Sequence, residues 1–554
     1  MPRHTGKLLL ILTLTMVLVL PVFAAPPAVE ALLSRTYPPD GPGAAVIVVK
    51  DGKTILRKGY GMADLELGIP VDPGMVFRIG SVTKQFTAAA IMLCVERGLL
   101  SLDDDVTKFL PGYPTQGRHI SIEHLLTHTS GVRSYTGLPS FLSNMRKDYS
   151  VAEMIELFGP QPMEFQPGEK WAYSNSGYFL LGAILEKVSG MSYEEFMKQS
   201  IFQPLGMDHT AYGSEAPIIP KRVHGYEKHP DGWVNAAYLS MTQPYAAGSL
   251  VSNVDDLATW DAALTAGKLL RKETLVRMWT PYKLAGGDVT GYGYGWAISR
   301  FEGHPVIGHG GGINGFSCHV LRLPDDGLFV ALLTNANGVE PSPEYIATKV
   351  AAESIGIVAG EPVAIHLDPQ LLDQYIGTYR IDDRRTRTIT REGDRLFSQR
   401  TDGPRLEIFP KSETEFFFKD SFARLTFVKD DEGHVARAEM NQASGMKETA
   451  VRTQEAPAPA APRTAALADA ALFDAYAGRY ELAPGFVITI TSENGHLMAQ
   501  ATGQGKFEIY PESETKFFYK VVDAQITFAR NPDGSVRQLT LHQNGRDLPA
   551  KRIP

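Results

Sequence analysis

Two short runs of apolar and β-branched residues near the start of the chain predict a β-hairpin. The runs at 44–50 and 54–60 flank Asp51-Gly52-Lys53, and an Asp-Gly pair between two such runs is a strong signal for a tight turn. Similar runs return much later in the chain, where Asp325-Asp-Gly327 predicts a second hairpin. These later runs span residues 293–300, 305–309, 316–323 and 328–334.

Between the two sets of strands, the apolar residues recur mostly at helical spacing. Residues 82–97 favour a helix that Gly98 ends, and residues 120–131 predict a short helix closed by glycine. Amphipathic helical segments follow within 150–207. Two strands, many helices and then several strands predict an α/β domain, residues 26–360, whose sheet is assembled from both ends of that segment.

The last third of the chain contains an internal duplication. Tyr375-Ile-Gly-Thr-Tyr379 recurs as Tyr476-Ala-Gly-Arg-Tyr480, and several other aromatic positions recur at the same separation of 101 residues. Each copy is rich in predicted strands and in Gly/Asp turns, which is typical of a small antiparallel barrel or sandwich. We therefore predict two small all-β, barrel-like modules at 366–453 and 467–554, joined by an Ala/Pro linker at 454–466.

The composition is that of an ordinary globular protein. Of 554 residues, 44% are hydrophobic and 21% are charged, and the formal net charge is −8. No basic block stands out, so we expect no nucleic-acid partner. We also expect no cofactor, and the sequence leaves the oligomeric state open.

The first 25 residues have the features of a secretory signal peptide. Arg3 and Lys7 precede an apolar run at 8–23, and Ala24 and Ala25 offer a small-residue cleavage site. The run is short for a membrane span, and no second long apolar run follows it. We expect an exported protein, periplasmic or secreted, with no stable membrane span after signal cleavage.

Two pairs of side chains allow more than one interpretation. Cys94 and Cys318 could pair in an exported chain, but both fall in apolar segments, which favours two free buried thiols. His124 and His128 stand at i and i+4, the spacing of two metal ligands on a helix. Because Leu125 replaces the glutamate of His-Glu-x-x-His and no third ligand stands out, packed histidines are favoured and no metal is predicted.

Ser81 and Lys84 stand three residues apart at the predicted start of a helix. Residues at i and i+3 share one helix face, so the amine is expected beside the hydroxyl. A serine alcohol is a poor nucleophile until a base takes its proton, and a desolvated lysine can be that base. The backbone N–H groups of the first helical turn can also stabilise an oxyanion. Ser-x-x-Lys alone also occurs at ordinary helix starts, so the assignment depends on the rest of the chain.

Two further motifs lie in the same predicted domain. Tyr173-Ser-Asn175 falls in a loop before a helix, where functional side chains are commonly presented. Gly308-His-Gly-Gly-Gly312 lies between predicted strands, and its glycines let a ligand approach the backbone closely. By itself, a glycine-rich turn has an equally good structural interpretation. Ser-x-x-Lys together with a second and a third motif matches the set found in serine β-lactamases and penicillin-binding proteins.

With these three motifs, the chain resembles the serine β-lactamase and D,D-peptidase superfamily over about residues 40 to 355. The likeness is to the branch that uses Tyr-x-Asn as its second motif, which includes class C β-lactamases, D-aminopeptidases, D,D-carboxypeptidases and esterases. The resemblance implies a β-lactamase/transpeptidase-like catalytic domain with an antiparallel sheet flanked by helices. The two C-terminal repeats resemble the lipocalin-like modules that are fused to some of these hydrolases.

The resemblance also implies a role for each motif residue. Ser81 would attack a carbonyl to form an acyl-enzyme, Lys84 would keep it activated, and Tyr173 would shuttle the proton. Base duty for a tyrosine requires nearby cations to lower its pKa from about 10. The oxyanion hole would use the Ser81 N–H and a backbone N–H near residue 312. The substrate-binding residues implied are Asn175, His309, Gly311 and Gly312.

The third motif departs from the pattern of most β-lactamases and D,D-peptidases. They carry Lys-Thr-Gly, whereas this chain has His309-Gly-Gly311. A lysine binds a substrate carboxylate as a permanent cation, but a histidine with a pKa of ~6.5 is mostly neutral at pH 7. We therefore predict a serine hydrolase of small-molecule or peptide substrates, a peptidase (D-aminopeptidase or D,D-peptidase-like) or esterase ahead of a true β-lactamase. The alternative is a non-catalytic penicillin-binding or sensor protein with the same fold.

Overall fold

The structure, a computed structural model, describes residues 26–553 with internal gaps. Within that span the residues outside the description are 139, 230, 358–361, 383–384, 402, 404, 442–446, 454–472, 484–485, 494, 503–505, 520–523, 532–533 and 544–545. The predicted signal peptide at 1–25 and the predicted Ala/Pro linker at 454–466 lie outside the described residues.

The two distant sets of strand-forming residues build one antiparallel sheet. Its strands are β1 (Ala44–Lys50), β2 (Lys53–Tyr60), β3 (Ala297–Phe301), β4 (His304–Ile313), β5 (Phe316–Leu323) and β6 (Leu328–Thr334). Their order across the sheet is β3–β4–β5–β6–β1–β2, and β1 pairs with β6 along its whole length. Asp51 and Gly52 have φ values of 49° and 73°, the left-handed pair of a two-residue hairpin turn, one residue shorter than the predicted connection because Lys53 belongs to β2. The prediction that the sheet joins both ends of the domain is confirmed.

Helices and short strands make up the rest of the catalytic domain. The helices are α1 (Pro27–Thr36), α2 (Thr83–Glu96), α3 (Ile122–Leu126), α4 (Val151–Phe158), α5 (Asn175–Ser189), α6 (Tyr193–Met197), α7 (Val254–Thr265), α8 (Lys272–Met278) and α9 (Pro343–Ser354). Shorter helical turns lie at Gly80–Val82, Val106–Lys108, Tyr135–Gly137, Ser140–Ser143, Lys198–Phe202, Gln203–Leu205, Tyr245–Gly248 and Pro324–Asp326. Short strands lie at Met62–Asp64, Ile69–Pro70, Phe77–Arg78, Ala211–Tyr212, Tyr226–His229, Gly232–Asn235, Leu250–Ser252 and Ala336–Asn337.

Helices cover both faces of the sheet, and the side chains of β1 alternate between two cores. Val46 and Val48 pack into the core on the side of α1 and α9. Ala45 and Ile47 pack into the larger core that contains α2 and α5. This alternation is the period of two expected for a strand. Because the strand is central, its residues are apolar on both faces.

Two element boundaries differ from the predictions. The helix predicted over 120–131 ends at Leu126, because the chain then turns through His128, which has a φ of 60°. The strand predicted from residue 293 begins only at Ala297. Gly291 and Gly295 have φ values of 70° and 80°, so the segment before Ala297 turns instead of extending.

Two closed eight-stranded barrels follow in the described chain, which confirms the predicted all-β modules. The first contains Gly377–Arg380, Thr386–Glu392, Arg395–Arg400, Arg405–Pro410, Glu415–Phe417, Arg424–Lys429, Val435–Asn441 and Lys447–Arg452. The second contains Gly478–Ala483, Phe486–Glu493, His496–Ala501, Lys506–Pro511, Lys516–Tyr519, Ala524–Arg530, Val536–Gln543 and Arg546–Ile553. Short helical turns at Pro369–Leu372, Asp373–Tyr375 and Phe473–Tyr476 precede the barrels.

The duplication extends to individual contacts. The Tyr375 hydroxyl donates to the carbonyl of Glu413, and the equivalent Tyr476 hydroxyl donates to the carbonyl of Glu514. Both tyrosines are fully buried in their barrel cores. The conserved geometry at a separation of 101 residues supports one ancestral module copied in tandem.

The first barrel contacts the catalytic domain through Phe422. Its ring centroid lies 4.9 Å from that of Phe301 and 4.7 Å from that of Tyr345. Phe301 pairs with His304 at the start of β4, whereas Gly311 lies seven residues further along that strand. Because a strand rises about 3.3 Å per residue, the contact between the first barrel and the catalytic domain lies roughly 20 Å from the glycine motif.

The two barrels differ at one set of inward-facing positions. In the first barrel, Arg387 donates to Glu448 at 2.6 Å and to Ser398 at 2.9 Å. The arginine and glutamate side chains are only 7% and 10% exposed. By strand register, the equivalent positions of the second barrel hold Ile488, Ala499 and Leu548. The second barrel therefore closes with apolar residues where the first contains a buried ion pair.

We expect Glu448→Leu to lower the free energy of unfolding of the first barrel by about 3–5 kcal/mol, because it leaves the Arg387 guanidinium buried without its partner. Adding Arg387→Ile and Ser398→Ala copies the second barrel and should restore most of that loss, since apolar residues can replace a buried ion pair at little cost. Calorimetry of the full chain measures both variants. An equal loss in the single and triple variants would contradict this expectation.

Candidate active site

The serine and the lysine of the first motif lie where the sheet meets helix α2. A helical turn at Gly80–Val82 leads into α2, so that Ser81 precedes Lys84 by one turn. Gly80 has a φ of 47°, and a Cβ at this position would lie 3.0 Å from the backbone nitrogen of Gly312 on β4. The glycine therefore allows the helix start to approach the strand backbone directly.

The buried amine of Lys84 has three polar neighbours. Its Nζ lies 3.1 Å from the Ser81 Oγ, 2.8 Å from the Asn175 Oδ1 and 2.8 Å from the carbonyl oxygen of Ala247. A neutral amine has two N–H donors and one lone pair. The two carbonyl-type oxygens accept the two N–H groups, which leaves the lone pair facing the Ser81 hydroxyl. This arrangement suits proton transfer from Ser81 to Lys84.

The surroundings of Lys84 favour its uncharged form. Burial lowers the pKa of Lys84 well below its ordinary value of 10.5. The Lys84 side chain has no exposed surface and is one of the largest fully buried side chains of the described chain. Lys84 can therefore act as a base at a lower pH than a solvent-exposed lysine can.

Tyr173 lies beside the serine and the lysine, as the motifs predict. The Lys84 Nζ is 4.7 Å from the Tyr173 ring centroid, and the tyrosine is 36% exposed. Base duty would require a nearby cation to lower the pKa of Tyr173, but burial raises this pKa, and a hydrogen bond with the Ser81 hydroxyl only partly opposes the rise. Tyr173 therefore remains a phenol that can relay a proton through its hydroxyl.

His309 is uncharged and already hydrogen-bonded on both ring nitrogens. Nδ1 lies 2.6 Å from the Gly310 carbonyl oxygen, and Nε2 lies 2.8 Å from the Tyr292 hydroxyl. Since a carbonyl only accepts, Nδ1 carries the proton and Nε2 accepts from the tyrosine. Burial lowers the pKa of His309 to about 3, and the nearby Lys84 acts in the same direction. The third motif therefore offers a substrate carboxylate no positive charge at neutral pH.

The glycines of β4 have different surroundings. A Cβ at Gly311 would overlap the carbonyl oxygen of Ile79 and the Sγ of Cys318, so this position accepts no side chain without a shift of the strand. A Cβ at Gly312 would meet no atom within 4 Å. Gly312 and Ser81 line the same cavity, so the strand backbone lies beside the candidate nucleophile.

A cavity of about 180 Å³ opens next to Ser81 and Asn175. Its described walls contain no Asp, Glu, Lys or Arg side chain and are largely apolar and aromatic. The apolar and aromatic lining residues are Tyr135, Phe141, Leu239, Pro244, Ala247 and Ile313. Since burying a charge without a partner is costly, such walls favour an uncharged group.

The two candidate metal ligands contact different parts of the chain. His124 Nδ1 accepts from the N–H of Ser121 as part of a helix cap, and His128 Nδ1 accepts from the N–H of Ser174. Among the described residues, no group of three or more His, Cys, Asp or Glu side chains is placed to hold a metal ion. The favoured interpretation of packed histidines fits these contacts.

The two cysteines of the chain form no disulfide with each other. Cys94 and Cys318 are both free and buried, which confirms the favoured interpretation. Burial raises the pKa of the Cys94 thiol to about 11 and that of the Cys318 thiol to about 12.

None of the helices between residues 26 and 553 that the structure describes combines the length and apolar character of a membrane span.

Three residues contact the site in ways that the sequence does not indicate. Ala247 contributes a carbonyl oxygen, Tyr292 binds His309, and His128 packs against Tyr173 at a ring separation of 4.4 Å. A backbone acceptor leaves no signal in residue type, because every residue has one. His128 lies in a segment that shows only helical spacing, and its left-handed backbone appears only in the fold.

Two family models match the chain. The model described as Beta-lactamase matches residues 37–354, the segment that carries the site. A model described as a domain of unknown function (DUF3471) matches residues 361–455 and 462–552, which correspond to the two barrels.

Curated relatives share the catalytic segment. Penicillin-binding protein 4* of Bacillus subtilis (strain 168) is 30% identical over 439 residues, which cover 74% of this chain and 94% of the relative. D-aminopeptidase of Gluconobacter oxydans (strain 621H) is 29% identical over 336 residues, which cover 60% of this chain and 61% of the relative.

Solved structures share the fold. The octameric penicillin-binding protein homologue from Pyrococcus abyssi has a TM-score of 0.55 at 28% identity and covers 77% of this chain and 99% of its own. A D-stereospecific amidohydrolase from Streptomyces sp. has a TM-score of 0.52 at 27% identity, and the match covers 60% of this chain and 99% of the amidohydrolase chain. The three motifs meet around one buried amine, and the matched segment spans more than half of the sequence. On this evidence the chain belongs to the Beta-lactamase family.

Proposed function

We propose that this protein is a serine hydrolase that cleaves amide or ester bonds through an acyl-enzyme on Ser81. The observation that carries the proposal is the position of the Lys84 amine, 3.1 Å from the Ser81 Oγ and bonded on its other sides to carbonyl-type oxygens. An alcohol beside a base with a free lone pair is the arrangement that acyl transfer by serine requires.

In the proposed acylation step, Lys84 takes the Ser81 proton as Oγ forms a bond to the substrate carbonyl carbon. The backbone N–H groups of Ser81 and Gly312 would donate to the resulting oxyanion. When the intermediate collapses, the Tyr173 hydroxyl gives its proton to the leaving group and receives one from the Lys84 ammonium. In deacylation a water molecule attacks the ester, its proton returns by way of Lys84, and Ser81 is released with its proton restored.

The substrates that the site favours carry no carboxylate beside the third motif. His309 is neutral and its Nε2 is occupied by Tyr292, so a carboxylate finds no cation at the third motif. We therefore rank peptidase or esterase activity above β-lactamase activity. The relatives named D-aminopeptidase and D-stereospecific amidohydrolase support amide substrates, and D-aminopeptidase-like activity ahead of D,D-peptidase-like activity on substrates that end in a free carboxylate. The N-terminal segment supports export, to the periplasm or beyond.

The test compares a p-nitrophenyl ester, a D-alanine p-nitroanilide and nitrocefin, with Ser81→Ala as the control. We expect turnover of the ester or the anilide, slower turnover of nitrocefin and none by Ser81→Ala. Covalent labelling of Ser81 that is not followed by turnover would favour the sensor alternative instead. Hydrolysis that survives Ser81→Ala would overturn the proposal.

We expect kcat/KM to depend on pH through one ionisation whose apparent pKa lies below 10.5, because burial lowers the pKa of Lys84. A protonated Lys84 cannot accept the Ser81 proton, so activity is lost as the pH falls through this pKa and is full above it. His309→Gln should leave this ionisation in place, since a pKa of about 3 keeps His309 neutral throughout the range. A pH–rate profile of the wild type and of His309→Gln measures the apparent pKa in each protein. An apparent pKa at or above 10.5 would contradict the assignment of this ionisation to Lys84.

A further inference from the structure

His128 has a backbone conformation that is uncommon for its residue type. Its φ is 60°, in the left-handed region, and its side chain is completely buried. Such conformations in non-glycine residues persist where the surrounding structure fixes them, and they concentrate at functional sites. In this chain the residue lies just beyond the end of α3, next to the segment that carries Tyr173 and Asn175.

His128 forms hydrogen bonds with the chain on both sides of Tyr173. Its backbone carbonyl accepts from the N–H of Ala172 at 3.0 Å, and its Nδ1 accepts from the N–H of Ser174 at 3.1 Å. Since Nδ1 is an acceptor, the ring proton of the neutral imidazole is on Nε2. Nε2 has no hydrogen-bond partner among the described residues, so within this part of the chain the imidazole is held by its hydrogen bond to Ser174.

The imidazole also packs against the aromatic rings of the site. Its ring centroid lies 4.4 Å from that of Tyr173, 5.1 Å from that of Tyr178 and 4.8 Å from that of Tyr292. Burial lowers the pKa of His128 well below 6.5, and the nearby Lys84 and His309 act in the same direction. The ring is therefore uncharged and remains a hydrogen-bond acceptor at Nδ1.

We infer that His128 is a positioning residue, which holds the Tyr173–Asn175 segment against Lys84 through its hydrogen bonds to Ala172 and Ser174 and its packing on the Tyr173 ring. The inference rests on the proposed function. Asn175 accepts from the Lys84 Nζ at 2.8 Å, so a displaced segment would misplace both Tyr173 and the partner that orients the base. A misplacement of about 1 Å in such a site can cost about 10²-fold in rate.

The test compares His128→Gly with His128→Asn in the full chain. Both residues tolerate the left-handed backbone, and both keep the carbonyl that binds Ala172. Asparagine also places its Oδ1 close to the position of the histidine Nδ1, whereas glycine has no acceptor there. We expect His128→Gly to lower kcat by about 10²-fold with little change in KM, and His128→Asn to retain kcat within about tenfold of the wild type.

A third variant, His128→Phe, fills the site without an acceptor and carries the test if the glycine variant does not fold. We expect its kcat to fall as that of His128→Gly does. Folded glycine or phenylalanine variants with wild-type kcat, or a loss confined to KM, would overturn the inference. So would a folded asparagine variant no better than the other two. If Ser81→Ala retains activity in the same assay, the proposed function fails, which is a different outcome from wild-type kinetics in the His128 variants.

Discussion

Ser81→Ala is expected to lower kcat for a p-nitrophenyl ester by about 10⁴–10⁶-fold, because the substitution removes the atom that would form the acyl-enzyme. The protein should stay folded, since the change deletes one hydroxyl and leaves Lys84 its contacts with Asn175 and Ala247. Steady-state kinetics and a thermal melt measure the two effects. The exposed Ser101→Ala serves as a matched control and should retain wild-type kinetics.

The same mechanism predicts how Lys84 and Ser81 combine. Lys84→Met should cause a loss of similar size, because the serine is then left without a base. The double variant should be no slower than either single variant, since groups that act as one unit are not additive. Losses that multiply in the double variant would show that the two residues contribute independently, which the 3.1 Å contact between them argues against.

Much of the fold could be predicted because its strands and turns have strong local signals. The Asp51-Gly52 pair predicted a hairpin that the chain forms, and the 101-residue duplication predicted two modules that both close as barrels. Boundaries that depend on tertiary contacts could not be predicted in this way. Residues beyond Leu126 have helical spacing, yet the chain turns there because His128 bonds to the segment around Tyr173.

The site could be predicted as a set of residues but not as an electrostatic environment. The i and i+3 spacing indicates Ser81 and Lys84, the family resemblance implies Tyr173 and Asn175, and the fold brings Lys84 and Asn175 together across 91 residues. The direction of the Tyr173 pKa shift could not be predicted, because the extent of burial is a property of the packed chain and not of the motif. The neutral state of His309 likewise depends on its burial in the packed chain, which no motif indicates.

Gly311→Ala is expected to lower kcat by about 10²–10³-fold and to destabilise the catalytic domain by about 1–3 kcal/mol. A methyl group at this position would overlap the Ile79 carbonyl oxygen and the Cys318 Sγ. Strand β4 would therefore have to move away from the helix start, and the Gly312 N–H proposed as an oxyanion donor would move with it. Kinetics with the ester substrate and thermal unfolding measure the two losses.

Gly312→Ala tests the effect of a changed cavity shape on activity without a change in the position of strand β4. Its Cβ would meet no atom within 4 Å, so the thermal stability should stay at the wild-type value. The methyl would instead enter the cavity beside Ser81, and KM should rise most for substrates with a bulky acyl group. Loss of stability in Gly311→Ala alone would show that contact with Ile79 holds the strand in place. Equal loss of stability in both variants would contradict that role for Gly311, because only its methyl is predicted to overlap the helix start.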